Sequence, residues 1–165
     1  MLAEGNKILI NGKEYTLGAK LGGGKEGSVF DLVEKKGAVV KIINDSTMSK
    51  IQRNELYAHL KWLYNLGRQA DKKELRQYMA LPLGLLDDEL GYAILKAGEH
   101  DPLNKYITVP EIYCEFDTWY REKYTLKKRY QIIVNLFDAL RKIHLSGLIF
   151  TDLSPNNIMV HQKQN

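Results

Sequence analysis

The sequence predicts an α+β fold, with a five-stranded antiparallel sheet and one long helix ahead of a partly helical second portion. Three observations carry this prediction. Short runs rich in Val, Ile, Leu and Phe alternate with turn residues over the first part of the chain. From there the spacing of apolar residues changes from two to three and four, the period of a helix packed on one face. No repeat or low-complexity tract interrupts that order.

The first strands are Ile8-Leu9-Ile10 and Lys13 to Leu17, joined by Asn11-Gly12, a pair that readily supplies the positive φ angles of a type I′ hairpin turn. Ser28 to Glu34 and Ala38 to Ile43 follow, split by the turn-like Lys35-Lys36-Gly37. From Asp45 or Ser46, either of which can cap a helix, apolar residues recur at helical spacing to about Leu66, where Gly67 can end it. Gly84 to Leu86 and Tyr92 to Leu95 flank Asp87-Asp88-Glu89 as two short strands of the same sheet. A second long helix is expected over Leu126 to Leu145, with Ile132, Ile133, Leu136, Phe137, Leu140 and Ile143 on its apolar side and Gly147 as its stop. Leu148 to Phe150, a polar turn from Thr151 to Asn156 and a short strand Ile158 to Val160 follow.

With 165 residues, 44% of them hydrophobic, the chain can bury a core of its own. No stretch reads as a membrane span or as a secretory signal, so a cytoplasmic protein is expected. Cys114 has no partner for a disulfide and no His or Cys cluster for a metal. The net charge of +4 and pI near 9.0 are spread along the chain. The densest basic run, Arg121 to Arg129, reads as a solvated helix face or, alternatively, as a patch for a polyanion or partner. No specific nucleic-acid partner is expected.

Gly22-Gly23-Gly24-Lys25-Glu26-Gly27-Ser28-Val29 fits G-x-G-x-x-G-x-V, in which missing side chains let backbone amides close over phosphate oxygens. Among 13 glycines such a spacing can arise by chance, so context decides. A dinucleotide fold needs a helix at the third glycine, and a P-loop needs Lys followed by Ser or Thr after the last. Here Gly27 leads into a strand instead. Lys41 lies in Ala38-Val39-Val40-Lys41-Ile42-Ile43, where an ammonium among apolar neighbours needs a carboxylate or a phosphate. On the following helix Ile51, Ala58 and Trp62 mark an apolar stripe that includes Glu55, the expected partner; the bland alternative is a lysine that snorkels to the sheet edge. Further on, Ile143 to Val160 holds Asp152 and Asn157 five residues apart across a polar turn.

In order and spacing, the chain from about Tyr15 to Val160 resembles the protein-kinase superfamily. The resemblance implies a kinase N-lobe over residues 1–97 and a partial C-lobe over 98–165, with ATP and Mg2+ as cofactors. Gly22, Gly23, Gly24 and Gly27 would cover the phosphates, while Val29, Val39 and Met159 would line the adenine slot, with Ile94 as gatekeeper in a hinge near Ile94 to Ala97. Lys41 paired with Glu55 would hold the phosphates, Asp152 would orient the substrate hydroxyl and Asn157 would take the metal. Pro155 favours Ser/Thr specificity on protein substrates.

Three departures qualify what the resemblance implies. Phe150 and Thr151 stand in place of the His and Arg before the catalytic Asp, which makes activation through a phosphorylated loop unexpected. Ser154 replaces a Lys, removing a cation worth roughly one to three powers of ten in rate. No Asp-Phe-Gly follows Val160. The expectation is an incomplete domain that binds nucleotide but is inactive alone, with apolar surface left uncovered on the Leu126 to Leu145 helix. A pseudokinase or nucleotide-binding scaffold, engaging a regulatory protein, and a small-molecule kinase of the aminoglycoside or lipopolysaccharide type are the alternatives.

Overall fold

The computed structural model describes residues 2–109, 111, 113–123 and 125–162, the side chains of residues 70, 71, 73, 113–115 and 123 aside. The Cys114 thiol, Tyr124 and residues 163–165 therefore lie outside the described residues. The chain forms two compact units, Met1–Lys96 and Ala97–Asn165.

In the first unit the strands are β1 (Lys7–Ile10), β2 (Lys13–Gly24), β3 (Gly27–Leu32), β4 (Ala38–Ile43), β5 (Gly84–Leu85) and β6 (Gly91–Leu95). They form one antiparallel sheet in the order β1-β2-β3-β4-β6-β5. The sheet thus has six strands where five were expected. All six are among the segments read as strands, and β1 joins the same sheet because both of its edges find partners. It pairs with β2 through the hairpin at Asn11 and Gly12, whose φ angles of 49° and 75° are those the Asn-Gly pair predicts. On its other side Asn11 N donates to Leu85 O and Asp87 N to Leu9 O, each at 3.1 Å, and Ile10 bridges Leu86. These bonds join β1 to β5 and close the sheet on itself, so neither edge strand is left with a bare row of donors and acceptors. Ile8 and Ile10 point into the closed sheet with Leu17, Phe30, Leu32, Ala38, Val40, Leu86 and Ala93, the core of the unit.

Helix α1 (Lys50–Leu66) starts three to four residues later than Asp45 or Ser46 would allow. Ser49 is the cap: its hydroxyl accepts from Gln52 N and the Gln52 side chain accepts from Ser49 N, a complete capping box. The two residues expected as caps have other work. Asp45 pairs with Arg53 at 3.0 Å and Ser46 bonds the Asn44 amide oxygen. The buried face of α1 also differs from the expected one. Leu60 and Leu66 are its buried residues, and Leu60 packs with Leu56, Tyr64, Leu85, Leu90 and Tyr92. Ile51 is 70% exposed and Trp62 49%, so the Ile51–Ala58–Trp62 stripe faces away from the sheet. Replacing Ser49 by Ala is expected to lower stability by about 1 kcal/mol, with Ser49→Asp close to neutral, as read by chemical denaturation.

The second unit contains α2 (Asn104–Ile107), α3 (Tyr113–Thr118), a π-helical turn at Trp119–Lys123, α4 (Leu126–Leu145), and strands β7 (His100–Pro102) and β8 (Met159–His161), which pair antiparallel. The bounds of α4 are those the sequence predicts. Thr125 caps its start by accepting from Lys128 N. At its end Gly147, at φ 85°, donates to His144 O while Leu148 N reaches Ile143 O, the paired bonds of a Schellman motif. The core of this unit is small: Tyr106 and Trp119, packed with Leu103, Ile132 and Val160. Of the expected apolar side of α4 only Ile143 is buried, whereas Phe137 is 69% exposed.

The basic run ahead of α4 is largely committed to local contacts. The Arg129 guanidinium lies 4.1 Å from the Trp119 ring centre and 4.7 Å from that of Tyr120, Lys128 sits over Tyr106, and Arg121 pairs with Asp117 at 2.7 Å. Such stacking compensates part of the cost of covering a guanidinium. No helix among the described residues is long and apolar enough to cross a membrane.

Candidate functional site

In the first unit the site is built by strand register. The glycine-rich segment is a β2–β3 hairpin in which Gly22 faces Val29, Gly23 faces Ser28 and Gly24 faces Gly27, with Lys25 and Glu26 at the turn. On β4, Lys41 lies opposite Val29 on one side and Tyr92 on the other, and Val39 lies opposite Ile94. Paired residues of an antiparallel ladder share a face, and successive residues alternate. Val29, Val39, Lys41, Tyr92 and Ile94 therefore share one face, while the intervening Phe30, Val40 and Ala93 fill the core at 3% exposure or less.

The glycines divide into two kinds. A Cβ at Gly27 would run into the Ile42 carbonyl oxygen, and Gly27 holds a φ of 148° that other residues rarely adopt. That glycine lets the hairpin lie against β4. At Gly22 and Gly24, by contrast, a Cβ would meet nothing within 4 Å, and neither φ is positive. Nothing in the fold requires glycine at those two positions. At Gly23 a Cβ would press on the flexible end of Lys20 and on the Ser28 hydroxyl.

The structure does not bring Glu55 to Lys41. Glu55 is exposed on α1, and the carboxylate near Lys41 is that of Glu26 at the hairpin turn, 3.9 Å from Nζ. The reason is the orientation of α1: with Leu56 and Leu60 turned to the sheet, the stripe that carries Glu55 faces away from it. Lys41 is itself partly accessible, with 33% of its side chain exposed. Burial pushes the Tyr92 hydroxyl pKa up, and the Glu26 carboxylate adds to the effect. Sequence reasoning missed both Tyr92 and Glu26. Tyr92 could have been found by period, since it lies two residues before Ile94 on the same strand face.

In the second unit Asp152 and Asn157 are hydrogen-bonded to each other. Asn157 Nδ2 donates to Asp152 Oδ2 at 2.6 Å and approaches the Asp152 carbonyl at 3.4 Å. Backbone bonds from Ser154 N to Asp152 O and from Asn157 N to Ser154 O, both 3.0 Å, close the turn between them. Asn104 N donates to Pro155 O and Leu103 N to Ile158 O, which ties this turn to the start of α2. With its amide nitrogen committed to Asp152, Asn157 keeps Oδ1 as a hard oxygen without a hydrogen-bond donor among the described residues. Met159 opens β8 opposite Pro102 and is 44% exposed. No cluster of three or more His, Cys, Asp or Glu able to hold a metal occurs among the described residues. Asn157 Oδ1 instead offers one hard oxygen of the kind Mg2+ accepts when water and phosphate complete its shell.

No protein-family model matches the chain. Mouse dual specificity protein kinase TTK is 24% identical to it over 160 residues, an alignment that covers 93% of this chain and 16% of that protein. Among solved structures, the kinase domain of Mycobacterium tuberculosis PknI superposes with a TM-score of 0.63 at 15% identity, covering 99% of this chain and 59% of that one. A mutant form of the same domain gives 0.61 at 16% identity, over 98% of this chain and 59% of the other. The chain thus spans well under two thirds of these relatives. The likeness establishes a protein-kinase-like fold.

Proposed function

We propose that this chain, whose fold is that of a protein-kinase-like domain, binds MgATP and in the whole protein transfers the γ-phosphoryl group to Ser or Thr hydroxyls of proteins. The observation that carries the reading is the open space at Gly22 and Gly24, glycines the fold does not need, on a hairpin whose neighbouring strand presents Lys41. Space without side chains beside an accessible ammonium suits a polyphosphate.

In this reading Val29, Val39 and Ile94 give an apolar surface to the adenine. Lys41 holds the α- and β-phosphates as a point charge, and the amides of the β2–β3 hairpin meet the remaining phosphate oxygens. Asn157 Oδ1 would hold Mg2+, which neutralises the phosphate charge when bound. Asp152 Oδ1, left over from the bond to Asn157, orients the attacking hydroxyl and accepts its proton. Glu55 would join Lys41 only after α1 turned its Ile51 side inward, and Glu26 fills that place in its absence.

A nucleotide-binding scaffold without transfer is the second reading, favoured by the Lys41–Glu26 pairing and by Ser154 where a lysine would meet the phosphoryl group. Both readings require nucleotide binding. Titration of the chain with MgATP in a calorimeter is expected to show one saturable site. Because Glu26 competes with phosphate for Lys41, Glu26→Gln is expected to tighten that site by about two- to fivefold, the range of an exposed ion pair. Absence of saturable binding in both forms would remove the proposal.

A further inference from the structure

Asn44 lies one residue beyond β4 and bonds in two directions. Its main-chain N donates to Glu26 O at 3.0 Å, and its Nδ2 donates to Lys25 O at 3.3 Å. Both acceptors belong to the turn of the glycine-rich hairpin. The other end of the same side chain, Oδ1, accepts from Ser46 N at 3.2 Å and from Ser46 Oγ at 2.8 Å. Ser46 lies in the connection that leads to the α1 cap at Ser49. One exposed amide therefore ties the hairpin turn to the β4–α1 connection. Neither end of the amide is spare, so the turn and the connection shift together or break a bond.

We propose that Asn44 is a positioning residue for the phosphate-holding hairpin. This rests on the nucleotide-binding reading above. The β2–β3 turn is a two-residue turn between strands, and beyond Gly24 and Gly27 it has no ladder partner across the hairpin. On the β4 side its bonds come from Asn44, with Lys41 adding only the long ion pair to Glu26. A loop ordered before ligand arrives spends less of the binding free energy on being ordered. Because Asn44 is exposed and touches no core residue through these bonds, its amide contributes to loop order far more than to folding.

The test compares the unaltered chain with Asn44→Ala and Ser46→Ala. Asn44→Ala is expected to weaken MgATP binding by about two- to fivefold, the effect of losing the one exposed hydrogen bond its side chain makes to the turn. Adenosine, which has no phosphates, should bind both forms equally within about 1.5-fold. Ser46→Ala keeps the Nδ2 bond to Lys25 O and should have the smaller effect. Without any ligand, hydrogen exchange at the amides of Lys25 to Gly27 should quicken in Asn44→Ala while the melting temperature holds. Equal loss of ATP and adenosine affinity, or unchanged exchange at the turn, would overturn the positioning role. A chain that binds neither ATP nor adenosine yet shows the faster exchange would instead overturn the nucleotide-binding reading and leave the ordering of the turn by Asn44 standing.

Discussion

Gly27→Ala is expected to cost about 3 kcal/mol of stability, while Gly24→Ala leaves stability within about 0.5 kcal/mol and weakens MgATP binding by about tenfold. The two substitutions add the same methyl group to the same hairpin, so only the surroundings can separate them. At Gly27 the methyl meets the Ile42 carbonyl, which is held in the β3–β4 ladder, and a φ of 148° adds strain of its own. The clash can be relieved only by parting the two strands. For a unit of this size the loss corresponds to a melting temperature lower by roughly 12–24 °C. At Gly24 the methyl enters open space in the free protein and, in the proposed complex, meets a phosphate. The tenfold loss is the cost of about one hydrogen bond to a charged group. Differential scanning fluorimetry with and without MgATP reads both quantities. Equal destabilisation by the two variants would mean that the glycine pattern serves the hairpin alone.

How far this division could be read from sequence depends on the distance over which each signal acts. Local signals served well. The Asn11-Gly12 turn, the α4 bounds and the Gly147 stop each rest on a few adjacent residues, and each was legible. The face of α1 was not. The helix carries Ile51, Ala58 and Trp62 on one side and Leu56, Leu60 and Tyr64 on another, so period alone offered two stripes, and the packing of Leu85, Leu90 and Tyr92 decided between them. That choice fixed the fate of Glu55, and with it the partner of Lys41. The start of α1 was misread for a different reason: Asp45 and Ser46 look like caps, but the reciprocal Ser49–Gln52 pair is the stronger local signal. The β1 hairpin was legible too, but its bonds to β5 join Leu9 and Asn11 to Leu85 and Asp87, residues too far apart in sequence to announce each other. In the site, the Asp152–Asn157 pair was legible because both partners lie in one short turn, whereas Glu26 and Asn44 gained their roles only when the hairpin folded onto β4.

The separation between binding and chemistry is sharpest at Asp152. Asp152→Asn is expected to lower phosphoryl transfer by the whole protein about 10²- to 10⁴-fold, with MgATP affinity unchanged within about twofold. The amide occupies nearly the same volume and can still meet Asn157, whose bond to Oδ2 organises the turn. What it removes is the carboxylate oxygen that, in the proposed reaction, accepts the proton of the attacking hydroxyl. A loss confined to transfer marks an interaction made in the transition state rather than in nucleotide binding. Asn157→Ala should behave differently, raising the Mg2+ concentration needed for half-maximal nucleotide binding, because it removes the Oδ1 oxygen and loosens Asp152 together. Radiolabelled phosphate transfer to a mixed protein substrate, read beside calorimetric binding of MgATP, separates the two variants. Binding intact, with no transfer in either the unaltered protein or Asp152→Asn, would decide for the scaffold reading. The substitution of Ser154 for a lysine would then be one chemical reason for it.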